Sequence, residues 1–106
     1  MLTLNDAFTK IDNNSCTIIG DVAICAFRAQ ATTYIPNAST IATLPSGYVA
    51  RRGTSFGYDV STSQWLGTGN RRAFGFTTQD RANISSDPIA ANEWAHFYQV
   101  IPVKKV

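Results

Sequence analysis

Two strand-like segments joined by Gly20-Asp21 constrain this chain more than any other feature of its sequence. Residues 15–19 and 22–31 are rich in β-branched and small apolar side chains. A two-residue connection that begins with glycine is typical of a type II′ hairpin turn, because glycine accepts the positive φ at its first position. The sequence therefore predicts an antiparallel sheet with a hairpin near its beginning.

The same hairpin brings two cysteines together. Counting back from the turn places Cys16 opposite Cys25 at a non-hydrogen-bonded position, where Cα atoms lie about 4.5 Å apart. A cross-strand disulfide is sterically feasible at that separation. The alternative is two free thiols in a reducing compartment. We expect free thiols, because residues 1–10 lack the continuous apolar segment of an export signal.

The second strand of the hairpin is apolar on both faces. Period-2 alternation divides its apolar residues into two sets, which are Val22, Ile24 and Ala26 on one face and Ala23, Cys25, Phe27, Ala29 and Ala31 on the other. A strand with one solvated face alternates apolar with polar residues instead. We therefore expect a second sheet to cover one face, and either a neighbouring subunit or loops of the same chain to cover the other.

The rest of the chain predicts further short strands. Phe56, Tyr58 and Val60 alternate with smaller or polar residues, and residues 93–103 form a long closing strand. Seven or eight strands separated by frequent turns predict an all-β fold, an antiparallel β-sandwich, over residues 14–106.

Residues 1–13 are predicted to be an N-terminal arm or linker. Leu4, Ala7, Phe8 and Ile11 recur at helical spacing, with Asn5 placed to cap a short helix.

Charge and length exclude several functional classes. The chain has 106 residues, enough for one domain, and only 15% of them are charged. A net charge of +2 without a lysine and arginine cluster argues against nucleic acid as a partner. No apolar run approaches the roughly 20 residues of a membrane span, so we expect no membrane insertion. The neutral, hydroxyl-rich composition suits contact with a saccharide or with a symmetry mate.

A turn in the middle of the chain carries a family resemblance. The β-branched strand at 41–44 ends at Pro45, which cannot donate to a ladder, and Gly47 then permits a tight turn into Tyr48. With the small-residue hairpin before it and a closing strand of the EWAHFYQVIP type after it, this TLPSGY turn resembles the C-terminal heads of tailed-phage tail fibres and baseplate receptor-binding proteins. The resemblance spans roughly residues 14–103, although only the turn is specific.

The resemblance implies more than a fold. Such heads are β-sandwiches or jelly rolls that assemble as trimers and bind a host cell-surface or cell-wall polysaccharide. The resemblance therefore implies a homotrimer in contact with other phage tail proteins. It also implies that the protein is made in the cytoplasm of the host bacterium and is carried on the virion at the tail tip or baseplate. The chain departs from the family where Val49-Ala50-Arg51 replaces the common Arg-Pro, and no collagen-like or coiled-coil shaft precedes the turn.

Catalysis is not expected. The chain has a single histidine, His96, and it contains neither a nucleophile elbow nor a zinc-protease motif. Two cysteines and one histidine are too few for a structural zinc site. We therefore predict a binding protein without a cofactor.

A saccharide site needs an aromatic platform and polar groups for hydroxyls. Alternation along the closing strand places Trp94, His96 and Tyr98 on one face, where they form a first candidate ligand surface. The competing interpretation is that both aromatic side chains simply pack and that a backbone group satisfies the imidazole.

A second candidate surface surrounds Trp65. Arg71 and Arg72 follow it across a glycine-containing loop, and Asp80 lies in the next long connection. The arginines could hold an anionic or hydroxyl group, but a core tryptophan beside solvated arginines explains the same residues.

Three functions stay open. The first is non-catalytic recognition of a host glycan by a phage receptor-binding head. The second is a structural tail or baseplate adaptor that mediates protein–protein assembly without binding a glycan. The third is a generic cellular carbohydrate-binding module, which would more often be monomeric.

Overall fold

The computed structural model describes residues 1–51, 55–63, 69–76 and 82–106, with side chains described for 1–51, 75–76 and 82–106. The described residues form strands connected by turns, without a helix. The strands are β1 (Thr3–Leu4), β2 (Phe8–Ile19), β3 (Val22–Ala31), β4 (Thr40–Thr43), β5 (Tyr48–Ala50), β6 (Ser55–Ser63), β7 (Gly69–Phe76), β8 (Asn83–Ser86) and β9 (Trp94–Lys105).

All pairings between these strands are antiparallel. Eight strands follow one path in the order β1-β4-β8-β7-β6-β9-β3-β2, and β5 pairs separately with the far end of β9. The all-β prediction is confirmed, and the two antiparallel sheets are compatible with a β-sandwich.

The predicted hairpin is confirmed residue by residue. β2 and β3 pair Ile19 with Val22 and Cys16 with Cys25. Gly20 has a φ of 60°, as the first central residue of a II′ turn requires. The turn therefore predicts the register of this ribbon from Ile19–Val22 as far as Asn13–Arg28, beyond which the pairing shifts.

The TLPSGY turn forms but does not make a hairpin. The amide of Tyr48 donates to the carbonyl of Pro45 at 3.2 Å, and Gly47 adopts a φ of 91°, a combination that matches a type II turn. The strands on either side have different partners, since β4 pairs with β1 and β8 whereas β5 pairs with β9. The turn therefore carries the chain from one sheet into the other.

The short helix that the N-terminal spacing allowed does not form. Residues 3–4 and 8–13, assigned above to an arm or linker, lie in β1 and β2, and the side chains of Leu2 and Phe8 are buried in the core. Asn5 accepts a hydrogen bond from the amide of Ala7 at 2.8 Å, as a cap would, but it does so in the turn between the two strands. Pairing of β1 with β4 outweighs the weak helical spacing.

The two ends of the sheet path meet through a single side chain. The Asn14 amide in β2 donates to the carbonyl of Leu2 at 2.8 Å and accepts from its amide at 3.0 Å. An asparagine amide bonded in both directions reproduces the pairing that another strand would provide. The sheet thus curls until its first and last strands touch.

The core lies inside this curl. An aromatic group in it joins β2, β3 and β9, with the Phe27 ring stacked on Phe97 at 5.3 Å and in edge contact with Phe8 at 5.6 Å. Ala95 and Ile101 of β9 are fully buried in the same core. Burying aromatic side chains from three neighbouring strands fixes which face of the ribbon points inward.

Candidate functional site

The outer face of β3 and β9 brings the first set of candidate residues together. Trp94, His96 and Tyr98 alternate with buried residues along β9, so all three lie on the side away from the core. Cross-strand pairing places them opposite Gln30, Arg28 and Ala26 of β3. The prediction that these three residues share one face is confirmed.

Arg28 is the central polar residue of this face. Its guanidinium carbon lies 4.2 Å from the centre of the Trp94 ring, a cation–π contact. Its Nη1 donates to Oδ2 of Asp12 at 2.6 Å. Stacking and ion pairing together hold the planar guanidinium over the sheet.

Tyr98 is the exposed aromatic side chain of the face. It is 65% exposed, and the residue opposite it across the ladder is Ala26. Because a methyl group covers little of an adjacent ring, the phenol surface stays open to solvent. An exposed aromatic ring of this kind can stack on the C–H face of a sugar or on another apolar surface.

His96 lies between Trp94 and Tyr98 on the outer face of β9 and directly opposite Arg28. Partial burial lowers the pKa of His96 below its ordinary value of 6.5, and the charge of Arg28 lowers it further. The imidazole is therefore neutral at pH 7 and offers one hydrogen-bond donor and one acceptor.

An open cleft of about 370 Å³ lies on this face, and Trp94, although it lies on the same face, is not part of its lining. Arg28, His96 and Tyr98 are joined in its lining by Asn13 and Ala26. Phe27 and Phe97 also contribute, although their side chains are buried and stack on each other beneath the sheet. A rigid core therefore supports a cleft that combines an open aromatic ring with hydrogen-bonding groups.

The hairpin end of the same face is apolar. Ile19 and Val100 are 58% and 52% exposed. Val22 and Ile24 of β3 are half-buried beside them. The outer face thus divides into an apolar half near the hairpin turn and a polar, aromatic half around Arg28.

The second candidate set is described only in part. Trp65 and Asp80 lie outside the described residues. Arg71 and Arg72 lie in β7, where they pair with Ser61 and Val60 of β6, but their side chains are not described.

The backbone register relates Arg71 to the first candidate surface. Ser61 pairs with Arg71 on one side and with His96 on the other. Arg71 and His96 therefore occupy one row of the sheet, two strands apart, although the sequence pattern had placed them in separate candidate surfaces.

Two polar residues of the cleft lining, Arg28 and Asn13, were missed from the sequence, as was Asp12, the ion-pair partner of Arg28. A signal for Arg28 was present, because it is the single charged residue in the segment 22–31, where Gln30 is the one other polar residue. Extending the hairpin register would also have placed Asn13 opposite Arg28. Asp12 follows from no such rule, since an irregularity in the β2–β3 pairing lies at this position.

Other kinds of site receive no support in the described part of the chain. Among those residues, histidine, cysteine and acidic side chains nowhere gather in a group of three that could hold a metal ion. Nor do the same residues include a helix long and apolar enough to cross a membrane. Comparison with known proteins finds no matching family model, no similar curated protein and no similar solved structure.

Proposed function

We propose that this protein is a non-catalytic saccharide-binding head of a tailed-phage tail fibre or baseplate. The observation that carries the proposal is the cleft on the outer face of β3 and β9, where the open ring of Tyr98 lies beside Arg28, His96 and Asn13. The resemblance of the turn at 43–48 to such heads supplies the phage context.

The cleft combines the two kinds of contact that sugars need. The Tyr98 ring offers a flat apolar surface for the C–H face of a pyranose. Arg28 supplies donors, while the Asn13 amide and the neutral His96 each supply a donor and an acceptor for hydroxyl groups. No cofactor takes part in such binding.

Assembly into a trimer would compensate for weak binding at each cleft. An open cleft covers little of its ligand, so each site binds weakly, and several sites presented together on a trimer and on many trimers raise the avidity. The proposed head is a jelly-roll-like sandwich that assembles as a homotrimer. It is made in the host cytoplasm and lies beside other tail proteins at the tail tip or baseplate of the virion. The apolar half of the outer face, with Ile19 and Val100 exposed, favours a subunit contact.

A second function is favoured by that same apolar half. A structural adaptor would use Ile19 and Val100 to hold a neighbouring tail protein, and its cleft would bind nothing. Under this alternative the exposed apolar residues, rather than Tyr98, determine the biological activity.

A matched pair of substitutions separates the two functions. Tyr98→Ala removes the proposed platform, and Val100→Ala changes an exposed residue of the same strand and face outside the cleft. Bacterial surface polysaccharides on a glycan array identify a ligand, and calorimetric titration up to millimolar sugar measures affinity. We expect Tyr98→Ala to weaken binding at least tenfold and Val100→Ala to leave it within twofold.

The controls are folding and assembly. Circular dichroism should give the same spectrum for both variants, and light scattering should report three times the 11.5 kDa mass of one chain. An absence of saturable binding to any bacterial polysaccharide would reject saccharide recognition. A monomeric mass would instead reject the trimeric head.

A further inference from the structure

A second chemical feature lies at the hairpin, on the opposite side of the sheet from the cleft. Cys16 and Cys25 face each other across β2 and β3, with their Sγ atoms 2.8 Å apart. In a hairpin closed by a two-residue turn, hydrogen-bonded and non-hydrogen-bonded pairs alternate from the turn outward, which makes this pair non-hydrogen-bonded. Its Cα separation of about 4.5 Å falls within the range that a disulfide spans.

The two thiols differ in their surroundings. Cys25 is fully buried among core residues, whereas Cys16 is only half-buried at the margin of the core. Burial raises the pKa of the Cys25 thiol, and the hydrogen bond with Cys16 raises it further. A dissolved reagent therefore reaches Cys16 directly but reaches Cys25 only through Cys16.

We propose that Cys16 and Cys25 form an oxidisable dithiol that a small-molecule disulfide of the glutathione class converts into an intramolecular disulfide. The Cys16 thiolate attacks one sulfur of the reagent, forms a mixed disulfide and releases one thiolate. Cys25 then loses its proton and attacks Sγ of Cys16, which releases the second thiolate. One protein dithiol is oxidised by two electrons, one reagent disulfide is reduced to two thiols, and both protein protons pass to the released thiolates.

The geometry favours ring closure over a lasting mixed disulfide. The resolving sulfur of Cys25 already contacts the sulfur it must attack. Because the register of the ribbon is set by its turn and by core packing, both sulfurs are held close together in the reduced chain. The site belongs to the inner face, so this inference is independent of whether the cleft binds a saccharide.

Oxidation should make the hairpin harder to unfold. A bond between β2 and β3 restricts the unfolded chain and holds together the ribbon that carries Phe27. We expect the thermal midpoint to rise by about 5–15 °C in the oxidised protein, with an unchanged circular dichroism spectrum.

The test equilibrates the folded, reduced protein with glutathione buffers of increasing oxidised fraction. Acid quenching, alkylation of free thiols and intact-mass spectrometry then count the remaining thiols. We expect the doubly alkylated species to be replaced by one that carries no alkyl group and is two hydrogens lighter than the unalkylated reduced chain, with the mixed disulfide below a tenth of the total. A persistent mixed disulfide, two free thiols in excess oxidised glutathione, or disulfide-linked dimers would each overturn the proposal.

Single substitutions test the order of the two steps. Cys25→Ser leaves the accessible thiol without its resolving partner and should accumulate the Cys16 mixed disulfide. Cys16→Ser leaves only the buried thiol and should react at least tenfold more slowly. Equal rates for the two variants, with both still folded by circular dichroism, would overturn the assignment of Cys16 as the attacking thiol.

Discussion

The two faces of the β3–β9 ribbon share one backbone but differ in how far their side chains are buried. On the inner face Phe27 and Phe97 are almost completely buried, whereas on the outer face Tyr98 and Val100 are more than half exposed. Both faces are largely apolar in β3, yet the residues of one face are buried and those of the other are only half-buried. Apolar composition alone therefore does not identify a core, since an exposed apolar face can also bind a ligand or a partner.

The two halves of the outer face also differ from each other. Near the hairpin turn it is apolar, with Ile19 and Val100 exposed. Around Arg28 it is polar and aromatic, with Trp94 beneath the guanidinium and Asp12 at its edge. If stability depends on the inner face and recognition on the outer face, substitutions on the two faces should affect different measurements.

The largest expected effect is on the inner face. Phe27→Ala removes a buried ring that contacts two other aromatic rings, and it should lower the free energy of unfolding by about 3–5 kcal/mol. Urea denaturation followed by fluorescence measures the loss. Tyr98→Ala is the matched outer-face substitution and should cost less than about 1 kcal/mol. Equal costs for the two variants would remove the distinction between the faces.

A smaller effect is expected where the sheet closes on itself. Asn14→Ala removes both hydrogen bonds to the main chain of Leu2 and should cost about 1–3 kcal/mol. Hydrogen exchange should then accelerate at Leu2. The neighbouring Asn13→Ala, on the cleft side, serves as the control and should stay within about 0.5 kcal/mol while weakening ligand binding.

The pH dependence of the outer face should be measurable at His96. Burial and the charge of Arg28 lower the pKa of the folded imidazole below 6.5. The unfolded chain therefore binds the proton more tightly, so this contribution to stability is fully present above pH 6.5 and is lost as the pH falls through the lowered pKa. NMR titration of the single histidine should give a midpoint below 6.5.

Arg28→Gln sharpens this test. Without the guanidinium charge the His96 midpoint should move part of the way back towards 6.5, because burial, the larger cause, remains. A midpoint at or above 6.5 in the unsubstituted protein would contradict the described surroundings of His96.

The smallest effect is expected for the ion pair between Arg28 and Asp12. Asp12 is 60% exposed at its side chain, so solvent screens the attraction. A double-mutant cycle with Asp12→Asn and Arg28→Gln should give a coupling energy of about 0.2–1 kcal/mol. A coupling above about 2 kcal/mol would mean that this edge of the outer face contributes to stability as the core does.

Parts of the site could be predicted from local pattern and parts could not. Alternation along 93–103 was enough to group Trp94, His96 and Tyr98 on one face. The contact of Arg28 with the Trp94 ring could not be predicted in the same way. The two residues are 66 positions apart in the sequence, and they meet only because β3 and β9 are neighbours in the sheet.

The sequence by itself determined the hairpin and the alternation of faces. A glycine that accepts positive φ sets the β2–β3 register, and period-2 geometry then assigns each side chain to a face. Tertiary structure alone decided that the segment containing Leu4 is a strand, that Asn14 joins the ends of the sheet, and that the strands flanking the 43–48 turn have different partners. The physical reason is that turns and alternation depend on neighbouring residues, whereas sheet order depends on which distant strands bury the most apolar surface together.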